Sequence, residues 1–500
     1  MSNNVQSCPA DGSCERNLKY LYLAAAFALL GVILAIPTPE GLTVAGHRML
    51  GILVFSVVIW MSEAVSYPTS AAVIMSLMAF LVGLAPNVAS PDKLLGTSKA
   101  LEMALAGFNN SALALVGGAL FLAAAMTKTG LDRRIALVVL SKIGAKTNRV
   151  LAGVILVGFF LSFFVPSTTA RVSCMVPIVM GIILAFGVEK KSRFAAILMI
   201  ATAQADSIWN VGIKTAAAQN MIALGFIEKQ LGVYISWLDW FIAAAPFAII
   251  MSVVLYFLLL KMMPPETEEI AGGKETIMKA LKELGPMKAE EKKLFGISLI
   301  LLCLWATEKV LHPFDTSSTT IAAITIMLLP GVGIMTWQEA QSKIPWGTLL
   351  LFGIGISLGS ALLSTKAAAW LAKMIVGWFG LQAMPALIVF AVLAAFLIII
   401  HLGFASATAL AAAMIPIIIS ILQGMPPTSG INVVGMTMLL QYVISFGFIL
   451  PVNAPQNMVA YATETFEVRD FIRTGVPLCI IAYLTTLLLA STYWKWLGLV

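Results

Sequence analysis

Phe163-Phe164-Val165-Pro166-Ser167-Thr168-Thr169-Ala170-Arg171 interrupts a long apolar run with three hydroxyls, a proline and a full positive charge. Irregular backbone at membrane depth survives only where it is buried in protein or lines a cavity. An arginine at that depth is a functional-site candidate. The same break recurs as Phe404-Ala405-Ser406-Ala407-Thr408-Ala409-Leu410.

The chain around these breaks is 60% hydrophobic and 11% charged, with a mean hydropathy of +0.96. Apolar stretches of bilayer-crossing length, about 17–25 residues, occur repeatedly. The composition therefore predicts an all-α polytopic membrane protein, with about eleven transmembrane helices. The net charge of +7 needs no nucleic-acid partner, because basic residues collect in cytoplasmic loops. Five cysteines (Cys8, Cys14, Cys174, Cys303 and Cys479) show no CxxC or other metal-ligand spacing. No nucleophile elbow, phosphate loop or metal constellation argues for an enzyme or a bound cofactor. A polar tail before Lys19 leads into an apolar run from Tyr20 to Ile36 without a small-residue cleavage site, which predicts a retained first helix.

The two breaks belong to a repeat. Gly117 precedes Lys128 by 11 positions and Gly355 precedes Lys366 by 11. Ser167-x-Thr169-Ala170 matches Ser406-x-Thr408-Ala409, each with a proline ten residues later. Ala217-Ala218-Gln219-Asn220-Met221 matches Ala454-Pro455-Gln456-Asn457-Met458, and the asparagines fall 53 and 51 residues after the first serines. Ordered matches at near-constant spacing identify a duplication. Segment 128–149 holds six basic residues and its counterpart 366–387 holds two. By the positive-inside rule the two copies should have opposite orientations. Interrupted helices at matching places of inverted halves point to a transporter's midplane site. Two re-entrant hairpins are expected, one with Asn109 and Asn110 at its tip and one starting at Pro345-Trp346-Gly347-Thr348.

A broken helix presents unpaired N–H groups at one half-helix start and carbonyls at the other half-helix end. The N–H ends favour anions, and two facing breaks would offer one donor set to each end of a dianion. The expected substrate contacts are Ser167, Thr168, Thr169, Arg171, Ser406 and Thr408, with Asn110, Asn220 and Asn457. Each polar group also has a structural reading. Membrane Ser and Thr often bond only a backbone carbonyl or a neighbouring helix, Arg171 can snorkel, and Asn109 and Asn110 can be turn residues. Lys214 follows Asp206 by eight positions, about two helical turns, so it can pair with that carboxylate or face an anion.

The duplicated Ser-x-Thr breaks resemble the paired Ser-Asn-Thr signatures of the divalent anion/sodium symporter family. Trp60-Met61-Ser62-Glu63-Ala64 and Leu450-Pro451-Val452-Asn453-Ala454-Pro455-Gln456-Asn457 agree with it. The Pro-Ser-x-Thr-Ala-Arg pattern ending at Arg171 is similar to the family's citrate/succinate and 2-oxoglutarate/malate exchangers. The resemblance implies a homodimeric, elevator-type carrier of C4 and C5 dicarboxylates such as succinate, malate, fumarate and 2-oxoglutarate. By match, Ser167-Thr168-Thr169 and Ser406-Ala407-Thr408 would hold the substrate carboxylates, and the turns at 207–220 and 447–457 would complete the site. It implies a bacterial inner membrane location, a cytoplasmic N-terminus and contact with membrane lipid.

On that basis the chain divides into a tail (1–19), scaffold helices (20–102) and a first transport half (103–225). A scaffold helix (226–261), a charged cytoplasmic linker (262–293) and further scaffold helices (294–340) follow. A second transport half (341–465) and a C-terminal helix (466–500) complete it. In sodium-coupled members the signature asparagines help build two sodium sites, whereas here those positions are Thr168 and Ala407. Arg171 and Lys214 are then expected to substitute for sodium, giving a sodium-independent exchanger. A sodium-coupled symporter is the alternative.

Overall fold

The computed structural model describes residues 13–142, 146–185, 188–266, 273–426 and 429–500. Helices α1 (Ser13–Ala35), α2 (Val44–Ser62) and α3 (Tyr67–Leu77) open the chain, α3 widening into a π-turn over Met78–Val82. Here α1 starts before the expected Tyr20, while Cys8 and most of the polar tail lie outside the described residues. A two-stranded antiparallel ribbon, β1 (Pro86–Asn87) and β2 (Ser90–Leu94), is the departure from an all-helical chain.

Next come α4 (Thr97–Leu105), a 3₁₀ turn over Ala106–Phe108, α5 (Ser111–Thr129), α6 (Leu131–Ser141) and α7 (Thr147–Phe164). After the first break are α8 (Thr168–Ala185) and α9 (Arg193–Gly212), a 3₁₀ turn over Lys214–Ala216, α10 (Ala218–Phe226) and α11 (Trp237–Met262). Then follow α12 (Gly273–Glu283), α13 (Ala289–Thr307), α14 (Thr316–Leu328) and α15 (Trp337–Lys343). The second half contains α16 (Trp346–Ser364), α17 (Ala367–Phe379), α18 (Ala386–His401), α19 (Ala407–Gln423) and α20 (Val433–Ile444). A 3₁₀ turn over Pro451–Asn453, α21 (Pro455–Tyr461), α22 (Val468–Ser491) and α23 (Tyr493–Trp496) end it.

The order α5 to α11 recurs as α16 to α22, helix for helix, except that α12 to α15 stand between the two runs. Eight helices among the described residues are long and apolar enough to cross a bilayer, against the eleven expected. Seven further apolar helices among the described residues have 10–17 residues; α8, α18, α19 and α20 adjoin the breaks, whereas α3 with its π-turn, α14 and α17 are short for other reasons.

Both breaks are narrower than the sequence suggested. Pro166 disfavours helical backbone at the residue before it, and Val165 is extended at φ −115°, ψ 94°. Helix resumes at once at Thr168, so Thr169 and Arg171 sit inside α8 and not in a loop. In the second half Ser406 takes the extended N-cap conformation and α19 begins at Ala407. Hydroxyls that looked like loop residues start helices instead.

The two halves interlock. Short α10 packs on α19 and α20 of the other half, and short α21 packs reciprocally on α8 and α9. Every residue of α9 from Phe194 to Gly212 is buried. The linker is partly docked: Ile277 of α12 is buried, and Arg134 of α6 pairs with Glu291 at 2.8 Å and donates to the Gly285 carbonyl at 2.9 Å. Residues 267–272 of that linker lie outside the described residues.

Candidate functional site

A cavity of roughly 270 Å³ lies where the breaks meet. At about 30 Å³ per water this is the volume of some nine waters, the scale of a small metabolite. Pro166 to Thr169 line it from the start of α8, and Ser406 to Thr408 from the start of α19. Ala217 to Gln219 and Ala454 to Gln456 approach from the starts of α10 and α21. Tyr67, Leu120, Pro345, Thr348 and Leu351 close the remaining wall.

The first N–H groups of a helix have no carbonyl partner within it and carry partial positive charge, roughly half a unit per helix end. Two signature serines each satisfy one such group. Ser167 Oγ accepts from the Ala170 amide at 3.4 Å, and Ser406 Oγ accepts from the Ala409 amide at 3.3 Å. An accepting hydroxyl keeps its own proton free to donate, so each serine can cap its helix and still face an anion. Ala217 and Ala454 offer no side-chain cap to α10 and α21. The described residues lining the cavity include no charged side chain. Any positive potential in it therefore comes from helix ends.

Arg171 is fully buried behind this surface and does not line it. Its Nε donates to Asp206 Oδ1 at 2.6 Å, and Nη1 donates to the carbonyls of Val165 at 2.8 Å and Ala216 at 3.0 Å. Nη2 donates to Asn210 Oδ1 at 2.7 Å, an oxygen that also accepts from Thr168 Oγ1 at 2.7 Å. With the Asn210 oxygen engaged twice, its Nδ2 is the end left to the cavity. Asn210, Gln219 and Gln456, which fall within the turns expected to complete the site, thus join the lining, together with Tyr67 and Thr348, which sequence reasoning did not select.

Lys214 also stands away from the cavity, and Asp206 pairs with Arg171 in its place. The Lys214 Nζ donates to the Ile235 carbonyl at 2.7 Å and sits 4.7 Å from the centre of the Tyr234 ring. Asn110 caps α5 by accepting from the Ala112 amide at 2.7 Å. Asn220 and Asn457 brace the second pair of breaks from behind. Asn220 Nδ2 donates to the Asn210 carbonyl at 2.7 Å, and Asn457 Nδ2 to the Gly447 carbonyl at 2.8 Å, ten residues back in each case. Among the described residues no cluster of three or more His, Cys, Asp or Glu is placed to hold a metal.

Residues 17–500 match the model of the sodium:sulfate symporter transmembrane region. The chain belongs to the divalent anion/sodium symporter family. A membrane protein of Cupriavidus necator is 60% identical over 476 residues, 95% of this chain and 92% of its own. The sodium-dependent dicarboxylate transporter SdcS of Staphylococcus saprophyticus is 26% identical, covering 89% of this chain and 87% of its own. The citrate/succinate antiporter of Escherichia coli is 26% identical, covering 94% and 96%. Among solved structures, the YdaH transporter of Alcanivorax borkumensis shares the fold, with a TM-score of 0.52 at 14% identity over 89% of this chain and 98% of that one.

Within this family, the two glutamines had a signal of their own. Gln219 and Gln456 immediately precede the matched asparagines, and it is the glutamines that face the cavity. Asn210 had a weaker one, as the single amide just before the turn. Tyr67 and Thr348 come from other elements, and nothing local in the sequence ties them to the breaks.

Proposed function

We propose that this chain exchanges C4 and C5 dicarboxylates, such as succinate, malate, fumarate and 2-oxoglutarate, without sodium. One observation carries the coupling mode. The Arg171 guanidinium occupies the Val165 and Ala216 carbonyls and the Asp206 carboxylate, an oxygen set that suits a small cation. A tethered cation there is never released. Thr168 and Ala407, standing where sodium-coupled members have asparagine, agree with this reading. Arg171 and Asp206 cancel each other's charge, so the helix ends alone supply the cavity's positive potential. An empty cavity leaves those ends uncompensated in a low-dielectric surrounding, which disfavours return without a substrate.

The same proposal includes re-entrant arms at α4–α5 and α15–α16, inverted halves, a homodimer, elevator movement of 103–225 with 341–465, and a bacterial inner membrane location with the N-terminus cytoplasmic. Its test uses proteoliposomes with potassium as the only cation. Labelled succinate or malate should enter vesicles preloaded with dicarboxylate and enter empty ones at a small fraction of that rate. Sodium-stimulated uptake into empty vesicles would overturn it.

That outcome would favour a sodium-coupled symporter. The observation on its side is Asn457 Oδ1, buried and without a partner among the described residues. An amide oxygen without a donor, beside the Gly447 and Leu450 carbonyls that Asn457 Nδ2 holds, is the ligand a small cation would take there.

A further inference from the structure

The two glutamines in the cavity wall carry an inference about substrate chemistry, which rests on the dicarboxylate reading. Each is held by a serine of the opposite half. Gln456 Nε2 donates to Ser207 Oγ at 3.1 Å, and Gln219 Nε2 donates to Ser445 Oγ at 3.3 Å. The interlocking of α21 with α9 and of α10 with α20 makes these two contacts reciprocal.

The direction of the Gln456 amide follows from bond logic. Ser207 is on α9, and its hydroxyl proton is already given to the Ala203 carbonyl at 2.9 Å. A serine hydroxyl has one proton, so Ser207 can only accept from Gln456. The amide nitrogen must therefore face Ser207, which leaves Oε1 at the cavity. Gln219 Nε2 donates to Ser445 Oγ in the same sense, but the Ser445 hydroxyl has no other partner among the described residues, so here the direction rests on the likeness to Gln456 and not on a committed proton. The two side chains are 7% and 6% exposed and both line the cavity, so the atoms they offer a ligand are two carbonyl-type oxygens.

Such oxygens repel a carboxylate and need a donor. The helix starts at Ser167 to Thr169 and Ser406 to Thr408 supply donors to the carboxylates, but a bare alkyl dianion has no proton to give back. An alcohol does. We infer that Gln219 and Gln456 are acceptors for hydroxyl groups on the substrate's internal carbons, one from each half, and that the cavity selects 2-hydroxy and 2,3-dihydroxy dicarboxylates over their unsubstituted parents. A hydroxyl pairing with one neutral acceptor contributes about threefold to tenfold in affinity.

The test is competition in proteoliposomes against one labelled dicarboxylate at neutral pH, using the full chain. Malate should inhibit at concentrations about threefold to tenfold below succinate, and tartrate, with a hydroxyl for each glutamine, at concentrations about tenfold to a hundredfold below. Equal potency, or succinate ahead, overturns the inference while leaving dicarboxylate exchange standing. Failure to transport any of these acids overturns the exchange reading itself, and this inference with it. If acidification lowers the succinate KM to that of malate, a protonated carboxyl is the donor and the hydroxyl assignment is overturned.

Two variants add a separate readout. Gln456→Met keeps the volume and removes the acceptor, and should bring the succinate-to-malate KM ratio toward one. Ser207→Ala lies outside the wall and frees the amide to turn its N–H inward, and should shift the ratio toward succinate. A ratio unchanged in both returns the glutamines to packing.

Discussion

Arg171 is the residue on which sequence and structure differ most in meaning. Its position invited a direct contact with substrate, yet the guanidinium is wholly enclosed and paired with Asp206. The pair joins residues 35 positions apart on different helices, so no periodicity announces it. The visible alternative, Asp206 with Lys214, follows helical spacing, but α9 ends at Gly212 and the chain turns away. Removing one member of a buried pair strands the other, at a cost of about 3–5 kcal/mol, whereas replacing both with apolar groups is often close to neutral. Arg171→Met should therefore lower the unfolding temperature in detergent sharply, and Arg171→Met with Asp206→Leu should recover most of it. Equal losses in the single and double variants would show that the carbonyl contacts, and not the charge pair, hold the break together.

At the scale of elements, the repeat was legible because it fixes where chains must break, and breaks leave polar residues in apolar sequence. The extent of each break was not legible. Ser, Thr and Ala suit both a loop and the first turn of a helix, and only the extended backbone at Val165 and Ser406 separates the two. Reciprocal packing of α10 and α21 across the halves, which brings the glutamines to the wall, is a long-range arrangement with no local signal. Ser406 illustrates the double role of a helix start. Ser406→Ala should destabilise the protein by about 1 kcal/mol through loss of the cap and also raise the KM for dicarboxylate. Ser406→Asn keeps a capping oxygen, so it should restore thermal stability while the KM stays high. If the KM recovers together with stability, Ser406 serves the helix alone.

For the whole molecule, the decisive contact is the one that movement would have to break. Lys214, at the turn after α9, is 3% exposed and reaches out of its own half. Its amino group donates to the Ile235 carbonyl at 2.7 Å and lies 3.5 Å from Thr316 Oγ1, beside the Tyr234 ring. Behind it, Tyr234 and Thr316 both donate to Glu308, at 2.6 and 2.8 Å. Under the proposed division Lys214 belongs to the moving part, while Tyr234, Ile235, Glu308 and Thr316 belong to the static one. Sliding then exchanges a carbonyl bond and a cation–π contact for other surroundings. Together these are worth about 1–2 kcal/mol or more in a desolvated setting, roughly a tenfold bias toward the state seen here.

Lys214→Met should remove that bias. The readout is a cysteine at Thr348 in the cavity wall, in a background with the native cysteines replaced by serine, labelled with an impermeant maleimide from each side of the membrane. Labelling from the side that reaches the wild-type cavity should fall several-fold in the lysine variant, and labelling from the opposite side should rise. An unchanged pattern would mean that Lys214 only fastens the turn, and that the static and moving parts meet elsewhere.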